Sequence, residues 1–280
     1  MSQTCGNRPL PVAVFIILIL TLIPGLLMAQ EITNSRIVVH PEWKPYFDQA
    51  QVQGAVVIYD EKNDTLHRYN EARCQEGFLP ASTFKIYNAL IGLDSGVLDG
   101  PEHLIKWDGR DRVLKSWNQD HTLRTAIRDS AVWYFRELAR RVGKERMAAY
   151  IEKMQYGNRD ISAGVDAFWL RGKMRISPNA QVRLLRQLDA KKLPVSTKAQ
   201  ETVRELIILE QTPEQTLRGK TGWVNFGTNK EPQIGWFVGW YTTADNKYFF
   251  AVNIESDQPG GEFAQARRDI AQKAFEAIKQ

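Results

Sequence analysis

The period of the hydrophobic pattern changes twice along this chain, and that double change restricts its fold more than any other feature. "GAVVIYDEKNDTLHRYN" (Gly54 to Asn70) is apolar or alternating on both sides of "EKND". It reads as a strand, a turn and a second strand. From Ser82 to about Leu209 the spacing turns helical, with Leu90, Leu93 and Val97 recurring after Lys85. "TLRTAIRDSAVWYFRELARRVG", "KERMAAYIEKMQ", "NAQVRLLRQLDAKKL" and "AQETVRELIILEQ" follow as helices. After Leu209 come "TLRGKTGW", "QIGWFVGWYTT" and "KYFFAVNIES", β-branched or aromatic runs that read as three strands, the last two a hairpin. "FAQARRDIAQKAFEAI" closes as an amphipathic helix. Sheet sequence on both sides of a helical stretch predicts one sheet assembled from both parts of the chain, packed by terminal helices, with a helical region inserted. A cleft between the two parts is the natural place for a site.

The sequence has 280 residues, 43% of them hydrophobic, which is enough for a well-buried core. Its beginning is of another kind. Arg8 precedes a continuous apolar run, "VAVFIILILTLIPGLLMA" (Val12 to Ala29), and Ala29 is a small residue before a polar start. This predicts a secretory signal peptide over 1–29, cleaved after Ala29, and a single domain over 30–280 delivered to the bacterial periplasm. Retention of the run as a membrane anchor is the alternative. Cleavage leaves Cys74 as the lone cysteine, so the mature chain forms no internal disulfide, and Cys74 is expected as a partly buried free thiol. The formal net charge is +5, yet the densest basic stretch, "RELARRVGKER", carries Glu137 and Glu145 within it. It reads as a solvated helix face, and no nucleic-acid motif accompanies it. The sequence contains neither H-x-H nor H-E-x-x-H, so no metal is expected.

"PASTFKIYNALIGL" places Ser82 three residues before Lys85, at the start of a helix and among apolar residues. Residues three apart share a helix face, roughly 5–6 Å between Cβ atoms, so the amine can approach the hydroxyl. A serine hydroxyl needs a base to take its proton. An ammonium is no base, but burial lowers a lysine's pKa by disfavouring the charged form. Alone this pair is weak, since serine is a common N-cap. Its company changes that. "GKTGW" puts Lys220 and Thr221 on a strand, a cation and a hydroxyl suited to a carboxylate, with Gly222 allowing close approach. "DSAVWYF" supplies Ser130 and Val132, with Trp133 and Tyr134 placed to shape the cleft wall. "MQYGNRD" supplies Tyr156, Gly157 and Asn158 at a helix end, and "DAFWLRGKMRIS" contains Trp169.

In this order the motifs resemble the class D serine β-lactamases, the oxacillinase family, from about Val38 to the C-terminus. The resemblance implies an α/β (α+β) fold of the serine β-lactamase and penicillin-binding-protein type: an antiparallel sheet flanked by terminal helices (about 30–80 and 211–280) with an inserted helical subdomain (about 81–210). It implies Ser82 as the acylated nucleophile and Lys85 as a lysine carboxylated by carbon dioxide or bicarbonate, with no other cofactor. Trp169 and Val132 form the pocket of that carboxylated lysine, and Ser130 relays a proton to the departing nitrogen. Backbone N–H groups of Ser82 and Trp223 form the oxyanion hole. Lys220, Thr221 and an arginine of the last helix hold the substrate carboxylate; Arg267 is favoured, with Arg268 one residue away. Tyr156, Gly157 and Asn158 shape the cleft. The implied substrates are penicillins and oxacillin-like β-lactams, with cephalosporins and carbapenems left open, and the implied protein is a monomer or homodimer without nucleic-acid partners. "WVNFGTNKEPQIGW" is a loop of this chain's own, and its preference is unreadable. A Ser-His-Asp hydrolase lacks its G-x-S-x-G and a class A enzyme its S-D-N. A penicillin-binding transpeptidase fits the Tyr-Gly-Asn and Phe-Trp-Leu motifs less well. The rival reading is a β-lactam sensor domain that is acylated without turnover.

Overall fold

A computed structural model of the chain describes residues 1–2, 35–228, 230 and 232–279. The expected signal segment lies outside these. Residues 1–34 and 35–280 form separate units, and the second is described here. Among the described residues no helix is long and apolar enough to cross a membrane.

β1 (Arg36–Val39), α1 (Lys44–Gln49), β2 (Gln53–Asp60), β3 (Thr65–Tyr69) and α2 (Glu71–Gln75) open the unit. A helical region follows: α3 (Lys85–Asp94), α4 (Leu123–Arg128), α5 (Val132–Val142), α6 (Lys144–Lys153), α7 (Pro178–Asp189) and α8 (Thr197–Leu206). A two-stranded ribbon, β4 (Leu104–Ile105) with β5 (His121–Thr122), lies within it. β6 (Ile208–Gln211), β7 (Thr216–Val224), β8 (Gln233–Thr242), β9 (Lys247–Ser256) and α9 (Phe263–Ile278) complete the chain. The main sheet runs β1-β3-β2-β9-β8-β7-β6. β2 from the first part pairs antiparallel with β9 from the last, Val56 facing Val252 and Ile58 facing Phe250.

β2 and β9 are continuous apolar runs because both faces of the sheet are covered. On one face α9 and α1 bury Trp43, Phe47, Val56, Ile58, Phe250 and Ile270. Phe275 of α9 stacks on Tyr241 with ring centres 4.0 Å apart. α7 covers the other face, where the Arg186 guanidinium lies 3.6 Å over the Tyr59 ring. α7 starts where Ser177 Oγ accepts the Ala180 N–H at 3.2 Å and Pro178 occupies the first turn. It ends at Asp189, a buried carboxylate held by Arg204 of α8 at 2.8 Å and Lys247 of β9 at 2.6 Å. One desolvated anion thus joins three elements, and removing either cation leaves it underpaired.

Four details depart from the sequence expectation. "AQETVRELIILEQ" is not one helix: α8 stops at Leu206, and β6 pairs with β7 across a bulge between Ile208 and Glu210. Four strands therefore follow the helical region, not three. The short apolar "LIIL" fits either period, and edge pairing decides it. β1 pairs parallel with β3, so the sheet is mixed at that edge. β1 has only four residues, with Ile37 and Val39 half exposed, too short to show alternation. "TLRTAIRDSAVWYFRELARRVG" is two helices, α4 and α5, parted around Ser130, whose φ is 56°. The arginines of α5 are engaged, Arg136 and Arg140 with Asp166 and Arg141 with Glu137. Cys74 is fully buried, not partly; burial pushes its thiol up to about 12, which makes it inert as a nucleophile.

Candidate active site

The nucleophile turn is a 3₁₀ turn, Ala81–Phe84, immediately before α3. Ser82 lies in this turn and Lys85 is the first residue of α3. The turn is held on several sides. The Ala81 N–H donates to Trp169 O at 2.9 Å, and Ala81 takes a left-handed φ of 48°. Trp236 Nε1 of β8 donates to Leu79 O at 2.9 Å, and Gln181 Nε2 of α7 donates to Thr83 Oγ1 at 2.9 Å. Strand β7 presses against the same turn. A Cβ on Gly222 would stand 3.1 Å from Pro80 O and 3.3 Å from the Ser82 N, so only glycine fits without displacing one of them.

Four polar side-chain atoms form a line. Lys85 Nζ lies 3.0 Å from Ser82 Oγ and 2.8 Å from Ser130 Oγ, and it donates to Ser130 O at 2.5 Å. Lys220 Nζ lies 3.0 Å from Ser130 Oγ on the other side. Ser130 reaches both lysines because its backbone adopts φ 56° just before α5. Lys85 is completely buried, and the Phe135 ring lies 5.5 Å from its Nζ. Burial, reinforced by the charge of Lys220, drives the Lys85 pKa well below its ordinary value. Burial also lowers Lys220 to about 7, with Arg267 and Arg268 adding repulsion. The line therefore sets one hydroxyl, Ser130, between two lysines whose pKa values are both lowered.

The remaining expected residues surround this line. Trp169 is fully buried, its ring 5.4 Å from that of Phe84, and its Nε1 has no hydrogen-bond partner. An unpartnered buried donor is a costly arrangement, roughly 1–3 kcal/mol, unless something accepts from it. Ser82, Ser130, Val132, Thr221, Trp223 and Arg267 line one cavity of about 490 Å³. Arg267 donates to Gly222 O at 2.6 Å and lies over the Trp223 ring. Arg268 instead lies over the Phe237 ring, 5.1 Å away, and does not line the cavity. Tyr156, Gly157 and Asn158 do not reach the cavity. Asn158 accepts from the Arg175 N–H at 3.0 Å and donates to Lys173 O at 2.7 Å. Gly157 has φ 53°, and a Cβ there would collide with Arg175 O at 2.1 Å. These contacts fix the segment that pairs Ile176 with Phe78, upstream of the nucleophile turn.

The cavity is lined as well by Val113, Trp117 and Arg171, which the motifs did not single out, by Leu170 of the Phe-Trp-Leu motif, and by Phe226 and Lys230 of the "WVNFGTNKEPQIGW" loop. They come from loops, which carry no periodic signal. Trp133 and Tyr134 were expected to shape the wall and do not line it. Trp133 Nε1 instead donates to Trp117 O at 2.7 Å, supporting that ring from behind. Tyr134 is buried and donates to His103 O.

The sequence pattern of the penicillin binding protein transpeptidase domain matches residues 44–280. "Beta-lactamase OXA-48" of Klebsiella pneumoniae is 40% identical over 237 residues, 85% of this chain and 88% of that protein. The chain belongs to the class D serine β-lactamases. A solved class D β-lactamase from Fusobacterium nucleatum, FUS-1 (OXA-85), superposes with a TM-score of 0.80 at 42% identity, covering 85% of this chain and 97% of that one. The C-terminal domain of the Bacillus licheniformis BlaR penicillin-receptor is also similar: TM-score 0.81, 31% identity, 87% of this chain and 97% of that domain. The class D fold expected from the motifs is therefore present, a sheet with helices on both faces and a helical region beside it.

Proposed function

We propose that this class D β-lactamase opens the β-lactam amide bond through an acyl-enzyme on Ser82 and then hydrolyses it, with Lys85 working in a carboxylated form. The observation that carries this reading is the line Ser82 Oγ, Lys85 Nζ, Ser130 Oγ, Lys220 Nζ, each within 3.0 Å of the next. The residues around Lys85 fit a carboxyl group on its nitrogen. Burial favours the neutral amine, which is the form that combines with carbon dioxide. The unpartnered Nε1 of Trp169 offers a donor, as a buried anion requires. Such a group supplies an anionic base of moderate strength in place of an amine.

The chain's own groups divide the work. Lys220, Thr221 and Arg267 anchor the substrate carboxylate at the β7 side of the cavity. That anchoring presents the lactam carbonyl to Ser82 Oγ, and Lys85 faces the proton that Ser82 must lose. Backbone N–H groups of Ser82 and Trp223, on neighbouring stretches held together at Gly222, receive the negative charge that develops on the carbonyl oxygen. Ser130, between the two lysines, gives a proton to the departing nitrogen and recovers one from its neighbours. The complete burial of Lys85, with the Phe135 ring beside its amine, excludes bulk water and keeps the line basic.

The test uses mature protein, a chromogenic cephalosporin, bicarbonate added or removed, and Ser82→Ala in parallel. Many turnovers per molecule, raised by bicarbonate and abolished in Ser82→Ala, are expected. The BlaR similarity keeps a second reading in view, acylation without turnover. A single covalent adduct per molecule on Ser82, with no further product, would replace the hydrolytic reading by that one. We also infer export of the mature chain on the strength of Val12 to Ala29, which predicts that protein from a periplasmic fraction begins at Gln30.

A further inference from the structure

The described wall of the active-site cavity carries three cations, Arg171, Lys230 and Arg267, and no carboxylate. Arg267 belongs to the carboxylate anchor beside β7. Arg171 follows Leu170, and Lys230 lies in the loop between β7 and β8. Both are exposed, and neither forms an ion pair or a side-chain hydrogen bond with a described residue. This contrasts with arginines elsewhere: Arg73 has Glu255, Arg136 has Asp166 and Arg204 has Asp189. Two unpaired cations facing one cavity create a positive potential that a single-carboxylate substrate, already held by Lys220, Thr221 and Arg267, leaves unused. The same cavity is lined by the apolar surface of Trp117 and the exposed side chains of Val113 and Phe226.

We propose that Arg171 and Lys230 bind a second anionic group, a carboxylate or sulfonate carried on the acyl side chain, and so favour dianionic β-lactams. The planar fork of Arg171 suits a carboxylate, and Lys230 adds a mobile charge. The apolar surface accommodates an aryl group of the same substrate. This inference rests on the hydrolytic reading given above.

The experiment compares benzylpenicillin with α-carboxybenzylpenicillin, which differ by one side-chain carboxylate. The quantity read is the ratio of their kcat/KM values. In Arg171→Gln/Lys230→Gln the ratio should fall about tenfold for each cation removed, about 1.4 kcal/mol apiece, mostly through KM for the dianion. Arg171→Lys should keep most of the ratio. Added salt should lower the ratio in the wild type and leave it flat in the double variant. The salt series needs only wild-type protein, so a poorly folding variant does not remove the test. A ratio insensitive to salt and to both substitutions overturns this inference while leaving benzylpenicillin hydrolysis standing. A wild type that turns over neither penicillin overturns the hydrolytic reading and this one together.

Discussion

Replacing Trp169 by Phe tests the Lys85 pocket most directly. The substitution keeps an aromatic ring against Phe84 and deletes only the indole N–H, which has no partner within the protein. If that N–H serves a carboxyl group on Lys85, the variant loses a charge-assisted hydrogen bond of about 1.5–3 kcal/mol. At about 1.4 kcal/mol per tenfold, half-saturation by bicarbonate should shift upward by about 10- to 150-fold. Two readouts give the shift independently. Steady-state turnover against bicarbonate reports it through activity. The melting temperature against bicarbonate reports it without any substrate, because a group bound only by the folded state stabilises that state by RT ln(1 + L/Kd), L being its free concentration, so the concentration at which melting begins to rise follows Kd. In carbon-dioxide-free buffer the variant should melt close to the wild type, since losing ring volume is offset by removing a buried unpaired donor. Equal bicarbonate midpoints for variant and wild type would refute the reasoning and leave Trp169 as a packing residue.

Other perturbations should read the remaining geometry. Lys220 has its pKa lowered to about 7 in the folded chain against about 10.5 unfolded, so the unfolded state binds more protons between those values and stability rises with pH across that window. In carbon-dioxide-free buffer the melting temperature of wild type minus that of Lys220→Met should therefore climb from pH 7 to 9, and a flat difference contradicts the buried-cation account. Arg267→Ala should raise KM for penicillins at least about tenfold and lower stability, because a buried charge-assisted bond to Gly222 O is lost. Arg268→Ala, a change over Phe237, should leave KM within about twofold, and the reverse pattern would exchange their roles. Gly222→Ala forces β7 away from Pro80 O and the Ser82 N. Acylation, followed by mass spectrometry, should slow by about 100-fold, the scale of losing an oxyanion donor, and an unchanged rate argues against that hole.

The approach of Ser82 to Lys85 was legible in the sequence because it is local: three residues on one turn bring the hydroxyl to the amine. The sheet was legible where strands are long. β6 and β1 were not, since short apolar edges fit more than one period and take their identity from a neighbour. Arg267 and Arg268 show a similar limit. The sequence favoured Arg267 without excluding Arg268, and the packing of Phe263 and Ile270 on the sheet decides which one turns toward Gly222. Trp117 and Arg171 carried no signal, and for Phe226 the sequence marked only its loop, because side chains drawn from three distant loops meet only after folding. Ser130 is intermediate: its motif marked it, but its left-handed backbone, which lets one hydroxyl meet two amines, follows from the α4–α5 corner rather than from its neighbours in sequence.

The pairing of β2 with β9 has a consequence for how the molecule comes into being. During synthesis "GAVVIYD" emerges early, pairs along one edge with β3, and must wait with its other edge open until nearly the whole described chain has been made. Such long-range closure is slow and leaves a sticky apolar edge open to other nascent chains. The delay also bears on reactivity. A fragment ending before β7 contains Ser82, Lys85 and Ser130 but not the strand that presses on their turn. That fragment lacks Lys220, whose charge adds to burial in lowering the Lys85 pKa and whose amine is the second neighbour of Ser130 Oγ. The polar line that begins at Ser82 is thus completed only when β7 arrives.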